Sequence, residues 1–102
     1  MIVVGWNNGS PSNKTGAGYG LKIERKDRDT YFKKDWEYVD IIFKHNQSVN
    51  VKISKSFWKG CIELRSSVIG KWMIDKKLAP WSKGNPPKFE MELVGDKKFE
   101  LK

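Results

Sequence analysis

Between Lys52 and Lys88 the chain sets nine bases (Lys52, Lys55, Lys59, Arg65, Lys71, Lys76, Lys77, Lys83, Lys88) against two acids, Glu63 and Asp75. Trp58, Trp72 and Trp81 are threaded among them. Cations at this density neutralise phosphates and release counterions, and uncovered rings stack on bases. The same residue types have an ordinary use: lysines keep a surface solvated, and large rings fill a small core. Trp58 and Trp72 are assigned to the core on that ground. Trp81 stands in a loop of Pro, Ser, Lys, Gly and Asn, which leaves it open between a packed ring and an exposed functional one. The stretches 7–15 and 81–88 both carry Lys, Asn, Ser and Gly, which reach phosphates and base edges without bulk. The surface expected from these residues has Lys14, Lys55, Lys59, Arg65, Lys71, Lys83 and Lys88 at phosphates, with Trp81 or Tyr19 stacking.

Other chemistry finds less material. Gly16-Ala17-Gly18-Tyr19-Gly20 lacks the Lys-Ser/Thr that a phosphate-binding Walker loop needs. The residues after Gly20 read as strand, whereas a dinucleotide fingerprint needs a helix there. Glycines on one strand face leave bare backbone, which suits close packing first and a ligand surface second. His45 and Cys61 are each unique, so a thiol mechanism would require that pair. His45 falls at an expected hairpin tip, and a free cysteine is usually a small buried hydrophobe. One Cys excludes an intrachain disulfide and a cysteine-built zinc cage. Acid-x-Lys spacings at Glu24/Lys26, Asp75/Lys77, Asp96/Lys98 and Glu100/Lys102 reflect the abundance of lysine rather than a convergent acid cluster. The expectation is a binding protein, not an enzyme, with no metal and no cofactor; a small nuclease or hydrolase is the weakest alternative.

The elements that must position these residues are read from periodicity. With 102 residues the chain fits one domain, hiding roughly 65% of its unfolded surface. Thirteen aromatics compensate for so small a core. Ile2-Val3-Val4-Gly5-Trp6 reads as a short, fully buried strand. Residues 16–24 alternate, with Ala17, Tyr19, Leu21 and Ile23 on one face and the glycines on the other. Arg25 to Asp29 reads as a charged turn, with a short irregular or single-turn helical piece around Tyr31, Phe32 and Trp36. Val39, Ile41 and Phe43, then Val49, Val51 and Ile53, predict a hairpin pairing Phe43 with Val49 around an odd loop near Asn46. Ser56 is placed to cap a short helix at Phe57-Trp58 ending at Gly60. Ser66 or Ser67 is placed to cap a second helix over 68–78, stopped by Pro80. A last hairpin pairs Leu93 with Phe99 and Met91 with Leu101. The predicted fold is therefore α+β: a β-rich, small, twisted or partly closed barrel of five or six strands, with a short helical insertion before the C-terminal hairpin.

Two stretches, Gly5-Trp6-Asn7-Asn8-Gly9-Ser10-Pro11 through Thr15-Gly16-Ala17-Gly18-Tyr19-Gly20, and Ile69-Gly70-Lys71-Trp72 through Leu78-Ala79-Pro80-Trp81, resemble segments of small stand-alone prokaryotic proteins without an assigned function. The resemblance spans most of the chain and implies no mechanism and no site residues. The mix of short strands and helices is similar in architecture to the B3-type pseudobarrels that bind DNA, with no shared motif.

The net charge of +8 makes nucleic acid, DNA or RNA, the expected partner, with an acidic protein partner as the alternative. The opening residues lack a basic region of the kind that starts a signal peptide, and no apolar run approaches the ~20 residues of a membrane span. With a single unpaired cysteine, this predicts a cytoplasmic, reducing setting and no membrane.

Overall fold

The computed structural model describes residues 1–44 and 47–102. It contains β1 (Ile2–Asn7), β2 (Tyr19–Lys22), α1 (Arg25–Tyr31), β3 (Tyr38–Ile42) and β4 (Ser48–Lys52). A 3-10 turn at Lys55–Trp58 comes next, then β5 (Glu63–Arg65), α2 (Ser67–Asp75), β6 (Lys88–Gly95) and β7 (Lys98–Leu101). The seven strands form one sheet in the order β4-β3-β7-β6-β1-β2-β5. All neighbours are antiparallel except β3 and β7, which are parallel. The edge strands β4 and β5 curl back against each other without pairing, so the barrel is nearly closed and keeps an unsealed seam. The expected α+β barrel with helices before its last hairpin is the observed one, with a seventh strand, β5, too short to be visible as a pattern.

The core follows from the period of two. Val3, Leu21, Val39, Ile41, Val51, Leu64, Phe89, Met91, Phe99 and Leu101 all point inward and are buried. Ile69 and Met73 of α2 stop one mouth of the barrel, and Phe32, Trp36 and Phe57 stop the other. There Phe32 stacks on Phe99 with ring centroids 4.7 Å apart. Among the described residues no helix is long and apolar enough to cross a membrane.

Strand direction decides which loops meet. The pairing puts β1, β3, β5 and β7 in one sense and β2, β4 and β6 in the other. Connections 8–18, 43–47 and 66–87 therefore lie at the α2 end, and connections 23–37, 53–62 and 96–97 lie at the α1 end.

Several local expectations give way. Ile2–Trp6 is not buried on both faces: Val3 and Gly5 point in, while Ile2 is exposed and Trp6 half-buried. The glycine strand starts only at Tyr19, because Gly16 and Gly18 adopt φ of +84° and +85° and make turns. The β3–β4 pairing sets Ile41, not Phe43, opposite Val49; this two-residue shift keeps every side chain on its expected face. The turn expected near Asn46 lies outside the described residues. The β6–β7 register agrees with expectation, but a bulge after Leu93 lets β6 splay and leaves Leu93 exposed.

The charged stretch read as a turn is helix α1. It is anchored by Arg28, only 6% exposed, whose Nη1 donates to the Phe57 carbonyl at 3.1 Å and whose guanidinium lies 5.1 Å from the Trp58 ring centre. The expected Ser56-capped helix is the 3-10 turn, which starts after Ser54. Ser66 caps α2, accepting from the Val68 and Ile69 N–H groups at 3.2 and 3.4 Å. That helix ends at Asp75, before the expected 78, with Lys77 in the left-handed region at φ 61°.

A Cβ on Gly70 would collide with the carbonyl oxygen of Gly16, and a Cβ on Gly16 would collide with the backbone of Ser67 and Lys71. Alanine gains about 1 kcal/mol over glycine in an isolated helix. Here overpacking of backbone on backbone outweighs that gain. Gly70→Ala is expected to lose at least about 2 kcal/mol in urea unfolding. Gly60→Ala, where an added Cβ meets nothing within 4 Å, is expected to stay within about 0.5 kcal/mol of the parent.

Candidate nucleic-acid interface

The topology sorts the charges. The strands of the wall, with Lys102, carry five bases (Lys22, Lys52, Lys88, Lys98, Lys102) and five acids (Asp40, Glu63, Glu90, Glu92, Glu100). The α1 end carries eight bases and six acids. The α2 end, counting Arg65 at the tip of β5, carries seven bases (Lys14, Lys44, Arg65, Lys71, Lys76, Lys77, Lys83) and one acid, Asp75. The excess of +8 therefore resides mostly at one mouth of the barrel.

Of the residues expected from sequence, Lys14, Arg65, Lys71 and Lys83 come together at this end. Lys88 lies on the adjoining wall, opposite Val4 of β1. Lys55 and Lys59 do not join them: the 3-10 turn places both at the α1 end, because β4 runs away from α2. Of the nine bases in 52–88, Lys52 also stays on the wall. Lys44, Lys76 and Lys77 complete the end instead. Lys44 was hidden by its distance in sequence, and Lys44 and Lys76 line a common hollow with Lys102.

The rings divide differently from expectation. Tyr19 is buried at 1% exposure, so it cannot stack on a base as expected; the inward parity of β2 puts it in the core. Its hydroxyl donates to Asn13 Oδ1 at 2.5 Å, tying loop 8–18 to the barrel mouth. Trp81 is half-buried, tilted against Tyr19 with centroids 5.6 Å apart, and lies over Gly5. It is part of the plug rather than a free ring. Trp72 is wedged between Phe43 (5.1 Å) and Phe89 (5.3 Å), and Trp58 packs on Phe57 at 5.5 Å, both against the core as expected.

Trp6 was missed. In the register Trp6–Gly20–Arg65 across β1, β2 and β5, the missing side chain at Gly20 lets Arg65 cross over. Its guanidinium carbon sits 5.0 Å from the centre of the Trp6 ring, and its Nη2 donates to Glu63 Oε1 at 2.9 Å. Close packing, the first reading of the glycine run, is the role that Gly16, against Gly70 of α2, and Gly20, against β5, fill.

Two hollows flank the start of α2. One, of 620 Å³, lies between α2 and the β3–β4 connection and includes Phe43, Gln47, Val68, Lys71, Trp72 and Lys76. The other, of 340 Å³, is lined by Trp6, Asn8, Ala17, Gly18, Tyr19, Arg65, Ser66 and Ser67. Ser67 borders both.

His45, and with it the Cys61–His45 pair, lies outside the described residues, and Cys61 is exposed rather than buried. Among the described residues no three His, Cys, Asp or Glu side chains gather at metal-binding distances. On the wall, the Lys102 ammonium donates to Glu92 at 2.7 Å; that bond holds the Glu92 carboxyl below its usual range and the Lys102 ammonium above its own. Comparison with protein-family models, curated proteins and solved structures finds no match to the chain. Fold and site together define a nearly closed seven-stranded α+β barrel with one cation-rich mouth.

Burial pushes the Tyr19 hydroxyl above the ordinary tyrosine value. The native state therefore keeps this proton at pH values where an unfolded tyrosine, with a pKa near 10, has lost it, so stability falls as pH rises above about 10. The Tyr19→Phe variant is expected to lack a tyrosinate absorbance that titrates above the free-tyrosine range and to lose less stability over that range. A tyrosinate component at 295 nm that titrates at or below the free-tyrosine pH and vanishes in Tyr19→Phe would mean the ring is not sealed.

Proposed function

We propose that the chain is a nucleic-acid-binding module that holds a phosphate backbone against the α2 mouth of the barrel. The observation carrying this reading is the seven-to-one ratio of bases to acids on the three connections and strand tip at that end, beside a wall whose charges balance. The surplus is a local field, not a uniform coat. A local field of one sign recruits a polyanion at near-diffusional rates and binds it with strong salt dependence. Among the described residues only Lys71 has an ion-pair partner within the end, Asp75 at 3.1 Å, and Arg65 pairs with Glu63 on the wall. Loop 8–18 adds neutral donors that suit phosphate and sugar contacts. An acidic protein surface would answer to the same charge, and a partner strand could add to the free edges of β4 or β5 at the seam.

Titration with labelled DNA and RNA at two salt concentrations tests the reading. If about six phosphates are engaged, affinity is expected to fall on the order of a thousandfold between about 50 and 200 mM salt. The triple variant Lys44→Gln, Lys76→Gln, Lys83→Gln is expected to flatten the log–log salt slope by about 2 to 3, roughly one per lysine. The pair Lys55→Gln and Lys59→Gln, at the opposite end, is expected to leave the slope unchanged. Equal effects from both sets, or no binding to any strand at low salt, would contradict the proposal.

A further inference from the structure

We propose that the hollow beside Trp6 and Arg65 receives one unpaired nucleobase, so that the strand bound at this end is single. This inference rests on the nucleic-acid reading of the α2 mouth and names the form of its ligand. The Arg65 side chain is 52% exposed, yet it is held in place from two sides: by the indole beneath it and by Glu63, whose own side chain is only 8% exposed. Gly20 lies between Trp6 and Arg65 in the register and puts no side chain between them, and a Cβ there would collide with the Leu64 carbonyl. The result is a guanidinium resting over a ring, with its outer side open to solvent. Guanidinium planes and aromatic faces are the surfaces on which unpaired bases stack.

The adjoining hollow suits one such base. At 340 Å³ it is at the small end of ligand pockets, and its polar lining is short-reach: Asn8, Ser66 and Ser67. Asn8 accepts from the Ser10 N–H at 2.9 Å through Oδ1, so what it offers a ligand is the NH₂ donor. Ser66 Oγ accepts from the Val68 and Ile69 N–H groups and keeps only its O–H donor, whereas the Ser67 hydroxyl can both donate to and accept from a base edge. The flanking cations Lys14 and Lys71 belong to the connections on either side and suit the neighbouring phosphates. A duplex keeps its base faces inside its own stack and cannot present one here; a single strand can splay one out at little cost.

The test measures binding of a short single strand, the same strand with abasic positions, and the matching duplex, all at one low salt concentration. The intact single strand is expected to bind about tenfold more tightly than either control, at the low end of one base–ring stack. Arg65→Lys keeps the charge but loses the plane, so it is expected to erase this advantage and bring the intact single strand to the affinity of the abasic one. Trp6→Leu is expected to do likewise, with circular dichroism reporting its fold; Arg65→Lys alone decides the matter if that variant is unstable. Equal binding of all three ligands by the parent, or an advantage that survives Arg65→Lys, overturns the unpaired-base assignment. Binding to none of the three overturns instead the nucleic-acid reading beneath it.

Discussion

Two backbones meet without a side chain between them where the turn at Gly16 presses on α2 at Gly70. Everything at that mouth of the barrel depends on this contact. It lets α2 sink far enough for Ile69 and Met73 to be fully buried, each worth about 1.5–3 kcal/mol. It also fixes loop 8–18 beside the start of the helix, where Tyr19 and Asn13 tie the loop down by a second bond. A methyl group at either glycine would lift the helix and separate Lys14 and Asn8 from Arg65, Ser67 and Lys71. The site is thus built on a steric allowance rather than on any attraction of its own.

The electrostatic pattern grows from the alternation of strand direction. Because successive strands reverse, every second connection returns to the same mouth, and residues as far apart as Lys14, Lys44 and Lys83 are brought to one end of the barrel. Bringing like charges together costs stability through mutual repulsion, softened beyond a Debye length of about 8 Å. Elsewhere the chain avoids that cost: the wall balances its charges and forms pairs such as Lys102–Glu92 and the amino terminus with Glu90. At the α2 mouth Lys71 pairs with Asp75 and Arg65 with Glu63, yet seven bases face one acid, an excess that suits an anionic partner in the proposed reading.

The barrel was legible in the sequence because its strands alternate cleanly; Val39, Ile41, Val49, Val51, Met91, Phe99 and Leu101 gave faces, and two-residue errors of register preserved them. Helix α1 was not legible, since Arg25–Tyr31 shows no apolar stripe: it is pinned by Arg28, a cation buried against a carbonyl and a ring, which no periodicity reports. Strand β5 is three residues long and depends on pairing with β2. Within the site, the cations were readable as a composition but not as a place, which is why Lys55 and Lys59 were grouped with residues at the other end and Lys44 was overlooked. Tyr19 carried a contradiction that the sequence already contained: the parity that put it on the apolar face also removed it from any ligand. Trp6 was obscured because Ile2 and Val4 make the outer face of β1 as apolar as the inner one.

The central claim is that one mouth of the barrel, and not the molecule at large, is the polyanion site. Backbone amide chemical shifts recorded while a short single-stranded oligonucleotide is added at low salt address it most directly. The account predicts perturbations confined to residues 6–20, Lys44 and residues 65–85, with 25–37 and 53–62 silent. Shifts centred on the α1 end, or scattered evenly over both ends and the wall, would contradict it.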